Sequence, residues 1–459
     1  MNLNRLFFLL FSFLPLLQYA SESDSVYVVK SIVCVGNKVT YEKIILRELP
    51  FGPNDTISIS DTNQVIQQAE QNLINTSLFH FATVMFQADG VVVIDLTERW
   101  YIWPSPFLAI EERNFNVWLR DMSLEKVTYG LYASHQNFRG RRETLKILFK
   151  SGYNQMYGFS YQNPYIDKKQ NWGISVSAGF EGSHSITANI DNHEPQGFKL
   201  INSYAYSGFF TSFSITRRIG FYQTHNFKIA FDRTHFADSL LVAFSGFASG
   251  KLRCGLSFNY VVKQDRRDFK PYPLVGWYAD LELNWYGAIP FAGNNNKLLY
   301  TKSHLRKYLK IKNRWYFATG GVVLGTIKND ATYLSTIFMG YDNDFCRGYG
   351  YQVIPARNFA IHRNNLKYNI LKTRKIHLPL IKTSRFNTVP LAFFINTFFD
   401  QAWSEKGNFA EQNPLAGKYL AGWGIGIDMV TYYDKVFRLE FTMNRFHEKG
   451  IFLQFTAPI

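Results

Sequence analysis

The spacing of hydrophobic positions changes once along this chain, near residue 100. Beyond it, apolar and polar residues alternate with period two. Leu145, Ile147 and Phe149 interleave with Thr144, Lys146 and Lys150, and Phe437, Leu439, Phe441 and Met443 interleave with Arg438, Glu440, Thr442 and Asn444. Successive side chains on a strand point to opposite faces, so each such segment has one apolar and one polar face. At roughly 22 residues per strand and connection, residues 102–459 predict an all-β antiparallel barrel of about 16 strands, within about 14 to 18.

Ahead of residue 100 the periods are mixed. Residues 26–35 are β-branched and strand-like until Gly36-Asn37 breaks them. Thr40 is placed to cap a helix running to Leu49, with Ile44, Ile45 and Leu49 on one face. Asp61 and Gln64 have the spacing of a capping box before Val65, Ile66, Ala69, Leu73 and Ile74 at helical intervals. Two strands, 79–87 and 91–97, flank the hairpin signal Asp89-Gly90. The predicted order over residues 26–99 is β-α-α-β-β, an α+β module in front of the barrel.

Residues 1–20 read as a secretory signal peptide, with Arg5 before the apolar run from Leu6 to Leu17 and Ala20-Ser21 as a cleavage site. Nothing downstream approaches the ~18 consecutive apolar residues of a membrane helix. A secreted chain that enters lipid without such a helix must do so as a closed barrel, which implies a Gram-negative outer membrane. Aromatic residues make up 17% of the chain, as expected where a lipid face is averaged with a wet lumen. The net charge of +15 points to polyanions, here membrane lipid and lipopolysaccharide phosphates, and not to nucleic acid. Cys34, Cys254 and Cys346 are too far apart to read as a disulfide framework or metal site.

Enzymatic signatures are missing: there is no His-Glu-x-x-His helix and no Gly-x-Ser-x-Gly elbow. Ser245–Lys251 resembles a phosphate loop only faintly and reads as a barrel turn, since Ser245 stands at the first Gly position and Leu252 at the hydroxyl position. No cofactor is expected.

The β-α-α-β-β order, with Gly36-Asn37, Leu78-Phe79 and the closing Glu98-Arg99, resembles a POTRA domain, the periplasmic module of the BamA-like outer-membrane assembly family. Three further patterns resemble that family's barrel in order: Asn137-Phe138-Arg139-Gly140-Arg141, Tyr161-Gln162-Asn163-Pro164-Tyr165-Ile166, and Asp265-Arg266-Arg267-Asp268 with Pro273 and Gly276. Cys346-Arg347-Gly348-Tyr349, after a strand-like stretch over 332–341, resembles the Arg-Gly-aromatic motif at the tip of the loop that folds into the lumen of such barrels. Gly permits a tight reversal there, the Tyr ring wedges the tip, and Arg can fork onto a carboxylate.

By resemblance that carboxylate is Asp400, in Phe398-Phe399-Asp400-Gln401-Ala402, where Ala402 replaces the family's frequent Gly. Alternation points Asp400 inward, and residues 345–399 contain no Asp or Glu. Asp428, also inward, is a second candidate partner for Arg347. Relatives often carry a Glu that shares the Arg, and its expected place here, near 372–374, is basic. The resemblance implies folding and insertion of outer-membrane proteins, with unfolded clients received by the POTRA and possible periplasmic or lipoprotein accessory factors. Alternatives are a two-partner-type secretion channel and a non-transporting scaffold barrel.

Overall fold

The computed structural model describes residues 25–110, 127–293, 296–377, 379, 388–431 and 434–455. The signal-peptide reading of residues 1–20 and the terminal Ala457-Pro458-Ile459 lie outside these residues.

The front module runs β1 (Val26–Val28), β2 (Ser31–Val35), α1 (Glu42–Leu46), β3 (Thr56–Ser58), α2 (Thr62–Ile74), β4 (Phe79–Phe86) and β5 (Val91–Glu98). Its main sheet has the order β2-β5-β4, with β2 parallel to β5, while β1 and β3 pair separately. Ile44, Ile45, Ala69 and Leu73 from the helices pack on Phe79, Val92 and Ile94. At Gly36, where φ is +88°, a Cβ would lie 2.0 Å from the Leu96 carbonyl oxygen. Only glycine tolerates that turn beside β5.

Both predicted helix caps fail, each for its own reason. Helix α1 starts behind Tyr41 without a side-chain cap and is shorter than expected. Thr40 is drawn away by a buried carboxylate: Glu98 Oε1 accepts its hydroxyl and its N–H, each at 2.7 Å. Asp61 makes no capping bond, because it closes a short 3₁₀ turn over Ile59–Asp61 and its own backbone is helical (φ −92°, ψ −10°). A capping residue needs extended dihedrals.

The wall that follows comprises β6 (Ile102–Ile110), β7 (Val127–Phe138), β8 (Glu143–Gly152), β9 (Asn154–Asn163), β10 (Trp172–Ser183), then a separate hairpin β11 (Ser185–Asp191) and β12 (Glu194–Lys199). It continues through β13 (Tyr206–Ile219), β14 (Gln223–Phe236), the helix α3 (Asp238–Ala243), β15 (Leu252–Asp265), β16 (Gly276–Gly293), β17 (Leu298–Lys312) and β18 (Trp315–Asn329). The last strands are β19 (Ile337–Met339), β20 (Ile354–His377), β21 (Thr388–Lys406), β22 (Tyr419–Val430), β23 (Val436–Asn444) and β24 (Lys449–Gln454). They form one antiparallel sheet of 17 strands in chain order, with β24 beside β6. Because β19 is only a splice onto β20 above β18, the wall has 16 long staves. Among the described residues no extended register joins β24 to β6. Residues 332–341, expected as strand, instead hold a 3₁₀ turn (Tyr333–Ser335) and the three-residue β19, because this stretch belongs to a loop folded inward.

The module sits on one mouth of this wall. The turn after β7 meets it first: Tyr41 N–H donates to Gly140 O at 3.0 Å, and a Cβ on Gly140 would fall 2.2 Å from Val39 O. Glu48, at the end of the first helical segment, is buried against the turns after β9 and β13. Arg218 forks onto it at 2.5 and 2.6 Å, Tyr165 donates to it at 3.1 Å and Arg142 at 3.3 Å. Further round the rim, Asn75 donates to Asp268 O and accepts from Lys270 N–H, and Arg99 forks onto Asp434 at 2.7 and 2.9 Å. A cavity of about 420 Å³ remains behind this cap, lined by Lys146, Lys263 and Arg267.

Burial alone would raise the Glu48 carboxyl, but the bond and charge of Arg218, with the charges of Arg142 and Arg47, hold it down at about 2. A carboxylate held below its ordinary 4.5 stabilises the docked form at all pH above that value. That contribution falls away as pH drops from 4.5 through 2. The protection factors of the α1 amides, that is, exchange relative to the intrinsic rate at each pH, are therefore expected to hold from pH 7 to about 5 and to fall below about 4. Arg218→Ala strands the Glu48 charge and is expected to cost about 3 to 5 kcal/mol of docking. It should expose the module to protease at neutral pH while leaving the barrel's heat-shifted electrophoretic mobility intact.

Candidate functional site: a buried latch inside the barrel

Residues 330–353 leave the wall after β18 and turn into the lumen. At their tip the Arg347 side chain is 1% exposed. It donates from Nη2 to Asp400 Oδ1 at 2.6 Å and from Nε to Asp400 Oδ2 at 2.7 Å, a two-pronged bond to β21. Nη1 donates to Asn365 Oδ1 on β20 at 2.9 Å and to Glu440 Oε1 on β23 at 3.2 Å. The guanidinium carbon lies 3.9 Å from the centre of the Phe398 ring, so the cation is also stacked.

Backbone geometry brings the tip this close. Gly348 has φ +91°, and its carbonyl accepts from Asn444 Nδ2 at 3.1 Å. On the facing wall, Gly422, Gly424 and Gly426 line the inner side of β22. A Cβ at Gly422 would sit 1.8 Å from Arg347 O, one at Gly424 2.6 Å from the Phe398 ring, and one at Gly426 2.8 Å from Glu440 Cγ. Tyr349 is 2% exposed, and its hydroxyl donates to Ala421 O at 3.4 Å. Beyond it, Tyr351 packs on the inward Phe452 of β24, with centroids 5.2 Å apart. Arg347, Gly348 and Tyr349 thus lie together, against strands that all come later in the chain.

Asp428 is the correction. It does not bind Arg347: Arg438 on the adjacent β23 forks onto it at 2.6 and 2.7 Å, and Tyr272 and Asn396 fill its remaining lone pairs at 2.7 and 2.9 Å. Register explains this, since Asp428 sits directly opposite Arg438 and six residues along β22 from Gly422, where the loop passes. The second acid on Arg347 is Glu440, and the strand pair of Asp400 is Arg363, not residues 372–374. Arg363 bonds the Asn343 and Phe345 carbonyls, tying the loop from its other side. Glu440 was findable: Arg438, Glu440, Thr442 and Asn444 share the polar face of β23, and two charges on a lumenal face next to Asp428 require partners.

These groups form one connected chain, Asp400–Arg347–Glu440–Arg438–Asp428–Tyr272, with Arg438 Nη1 3.6 Å from Glu440 Oε1. Tyr272 belongs to the connection between β15 and β16, which reaches from the module's side into the lumen and packs on Phe394. Lys367 places its ammonium 4.2 Å from the Tyr272 ring centre. The same connection holds Asn75 of the module through residues 268 and 270. Latch and module are therefore joined through hydrogen-bonded contacts across the lumen. At the opposite mouth, Phe236, Leu240, Phe247 and Tyr333 pack with the β11–β12 hairpin in one apolar cluster.

A sixteen-stave barrel with an inward Arg-Gly-Tyr loop latched to its last strands, and an α+β module on one mouth, defines an outer-membrane barrel with a periplasmic module. The Omp85 superfamily domain matches residues 137–443, and the POTRA model, described as the surface antigen variable number repeat, matches residues 27–99. The chain belongs to the Omp85 superfamily, with its POTRA domain in the periplasm and its barrel in the outer membrane. Among solved structures it is similar to BamA from Haemophilus ducreyi lacking POTRA domains 1–3, at 13% identity over 94% of this chain and 84% of that one, TM-score 0.51. CdiB from Escherichia coli aligns at 10% identity over 96% of this chain and 92% of that one, TM-score 0.46. CdiB from Acinetobacter baumannii aligns at 11% identity over 93% and 73%, TM-score 0.46. No curated protein sequence matches the chain.

Arg347→Ala removes a buried cation from two carboxylates and is expected to cost about 3 to 5 kcal/mol, read as a lower midpoint in heat-shift electrophoresis of the folded barrel. Gly422→Ala is expected to match it without changing any charge, because the added methyl cannot coexist with Arg347 O. A Gly422→Ala barrel as heat-resistant as the wild type would show that the loop does not depend on this approach.

Proposed function

We propose that the protein folds and inserts outer-membrane proteins. The observation that carries this reading is the seam. Every other pair of neighbouring staves shares a ladder, whereas β24, six residues long, has no extended register with β6 among the described residues. Unpaired strand edges in lipid are costly, and an incoming client strand can satisfy them as it leaves water. No cofactor or covalent chemistry is required, since ladder bonds replace exposed backbone groups.

The POTRA supplies the receiving edge. Its β4 edge is partly occupied, as Val84 N–H donates to Glu70 Oε1 at 3.0 Å. The β2 edge lies at the other side of the sheet and suits strand addition by an extended segment. Arg347, Gly348 and Tyr349, with Asp400, hold the loop against β22–β24 and so set the shape of the wall next to the seam. Clients are unfolded outer-membrane proteins, delivered with periplasmic or lipoprotein accessory factors.

Depletion of the protein in its native host, followed by quantitative proteomics of the outer membrane, is expected to show loss of many unrelated barrels. Loss of a single secreted or surface protein would instead assign it to secretion of one substrate. An unchanged outer membrane would leave only a scaffold role.

A further inference from the structure

The lipid-facing side of the barrel is apolar on most walls: Phe213 and Ile215 on β13, Leu281, Leu283 and Trp285 on β16, and Ile425 and Ile427 on β22 all point outward and are exposed. One wall departs from this. Across β17, β18, β20 and β21, the outward row Leu305–Gly321–His362–Gln401 lies beside the row Lys307–Thr319–Asn364–Phe399. Thr319 Oγ1 lies 3.0 Å from His362 Nε2 and donates to Asn364 Oδ1 at 2.8 Å, while Asn364 Nδ2 reaches Phe399 O at 3.4 Å. The Gln401 amide and the Lys307 ammonium have no partner among the described residues.

This cluster falls inside the hydrocarbon layer. Outward aromatic residues mark the two interfaces of an outer-membrane barrel. Here Trp315 and Tyr368 pair near the periplasmic strand ends, and Trp403 and Tyr419 pair near the outer ends. Ala360, opposite Trp403, and Tyr368 are eight residues apart on β20, about 26 Å along a strand. His362 and Asn364 lie between them. Polar and charged groups on a barrel's lipid face at this depth are destabilising, and acyl chains offer them no hydrogen bond.

We propose that this wall is the contact surface between two copies of the chain, side by side in the membrane. The rows are self-complementary. Gly321 and His362 are direct register partners on β18 and β20, so the protruding imidazole has a side-chain-free position beside it. A two-fold axis along the membrane normal between these strands sets His362 of each copy over Gly321 of the other, and Thr319 opposite Asn364. The same operation brings Lys307 on β17 towards Phe399 on β21, a cation facing a ring. The Gln401 and Asn364 amides both donate and accept, so one surface can satisfy itself. A groove of about 470 Å³, lined by Leu305, Gly321, Val323, Ala360 and Trp403, supplies the apolar surround and lets the backbones approach.

The test uses the full-length protein reconstituted in phosphatidylethanolamine–phosphatidylglycerol bilayers. Single-molecule photobleaching should give two steps per particle. The triple variant Lys307→Leu, His362→Leu, Gln401→Leu should give one step while keeping the heat-shifted mobility of a folded barrel. Independently, His362→Cys should form an oxidant-induced dimer, and Leu283→Cys on another wall should not. One-step bleaching of the wild type at every protein density overturns the proposal and gives the wall to a lipid or another protein. Equal cross-linking at positions 283 and 362, or a triple variant that stays two-step, overturns it as well.

Discussion

A guanidinium with 1% of its side chain exposed must be neutralised where it lies, and that requirement organises the barrel interior. Moving an ion of this size out of water without a counter-charge costs several kcal/mol even after relaxation. Arg347 therefore demands Asp400 and Glu440, and Glu440 in turn sits beside Arg438, which is held by Asp428. Arginines 347, 363 and 438 stand against carboxylates 400, 428 and 440, three against three, with the buried Lys367 stacked over Tyr272 beside them. The glycine stripe on β22 is the steric counterpart of this balance, because only a wall without side chains admits a loop so close to its backbone.

The same logic recurs at the periplasmic mouth, with Glu48 of the POTRA as the buried charge and Arg218 and Arg142 of the barrel rim around it. The two buried clusters differ in what they fasten. One secures a loop to the wall that contains it; the other secures a separate domain to the wall's rim. They are linked through the β15–β16 connection, which touches the POTRA with residues 268 and 270 and the lumenal cluster with Tyr272.

Much of this was legible in the sequence because period and hydropathy are local properties. The change of period near residue 100, the β-α-α-β-β order and the inward direction of Asp400 and Asp428 follow from spacing alone. What spacing cannot carry is register between strands distant in sequence. Assigning Asp428 to Arg347 or Arg438 depends on which residue faces it across β22 and β23, and the role of Glu440 depends on how deep the loop tip reaches. The first helix cap failed because Thr40 is claimed by Glu98, a residue 58 positions away. The sequence did contain an unused signal for the latch: glycines at 422, 424 and 426 recur at one face of a strand whose other face is apolar.

Among the described residues, the hydrogen bonds of the Arg347 side chain, the Gly348 carbonyl and the Tyr349 hydroxyl go to strands synthesised after the tip, β20, β21, β22 and β23, and Tyr351 just beyond it packs on Phe452 of β24. The flanks of the loop rest on earlier elements, through Tyr333 on Phe247 and Lys302 on Asp344, but the tip lodges only when the last strands arrive, and those strands close around it. It acts as a mandrel rather than a plug: the last staves are wound around it, and the seam they leave beside β6 inherits its outline.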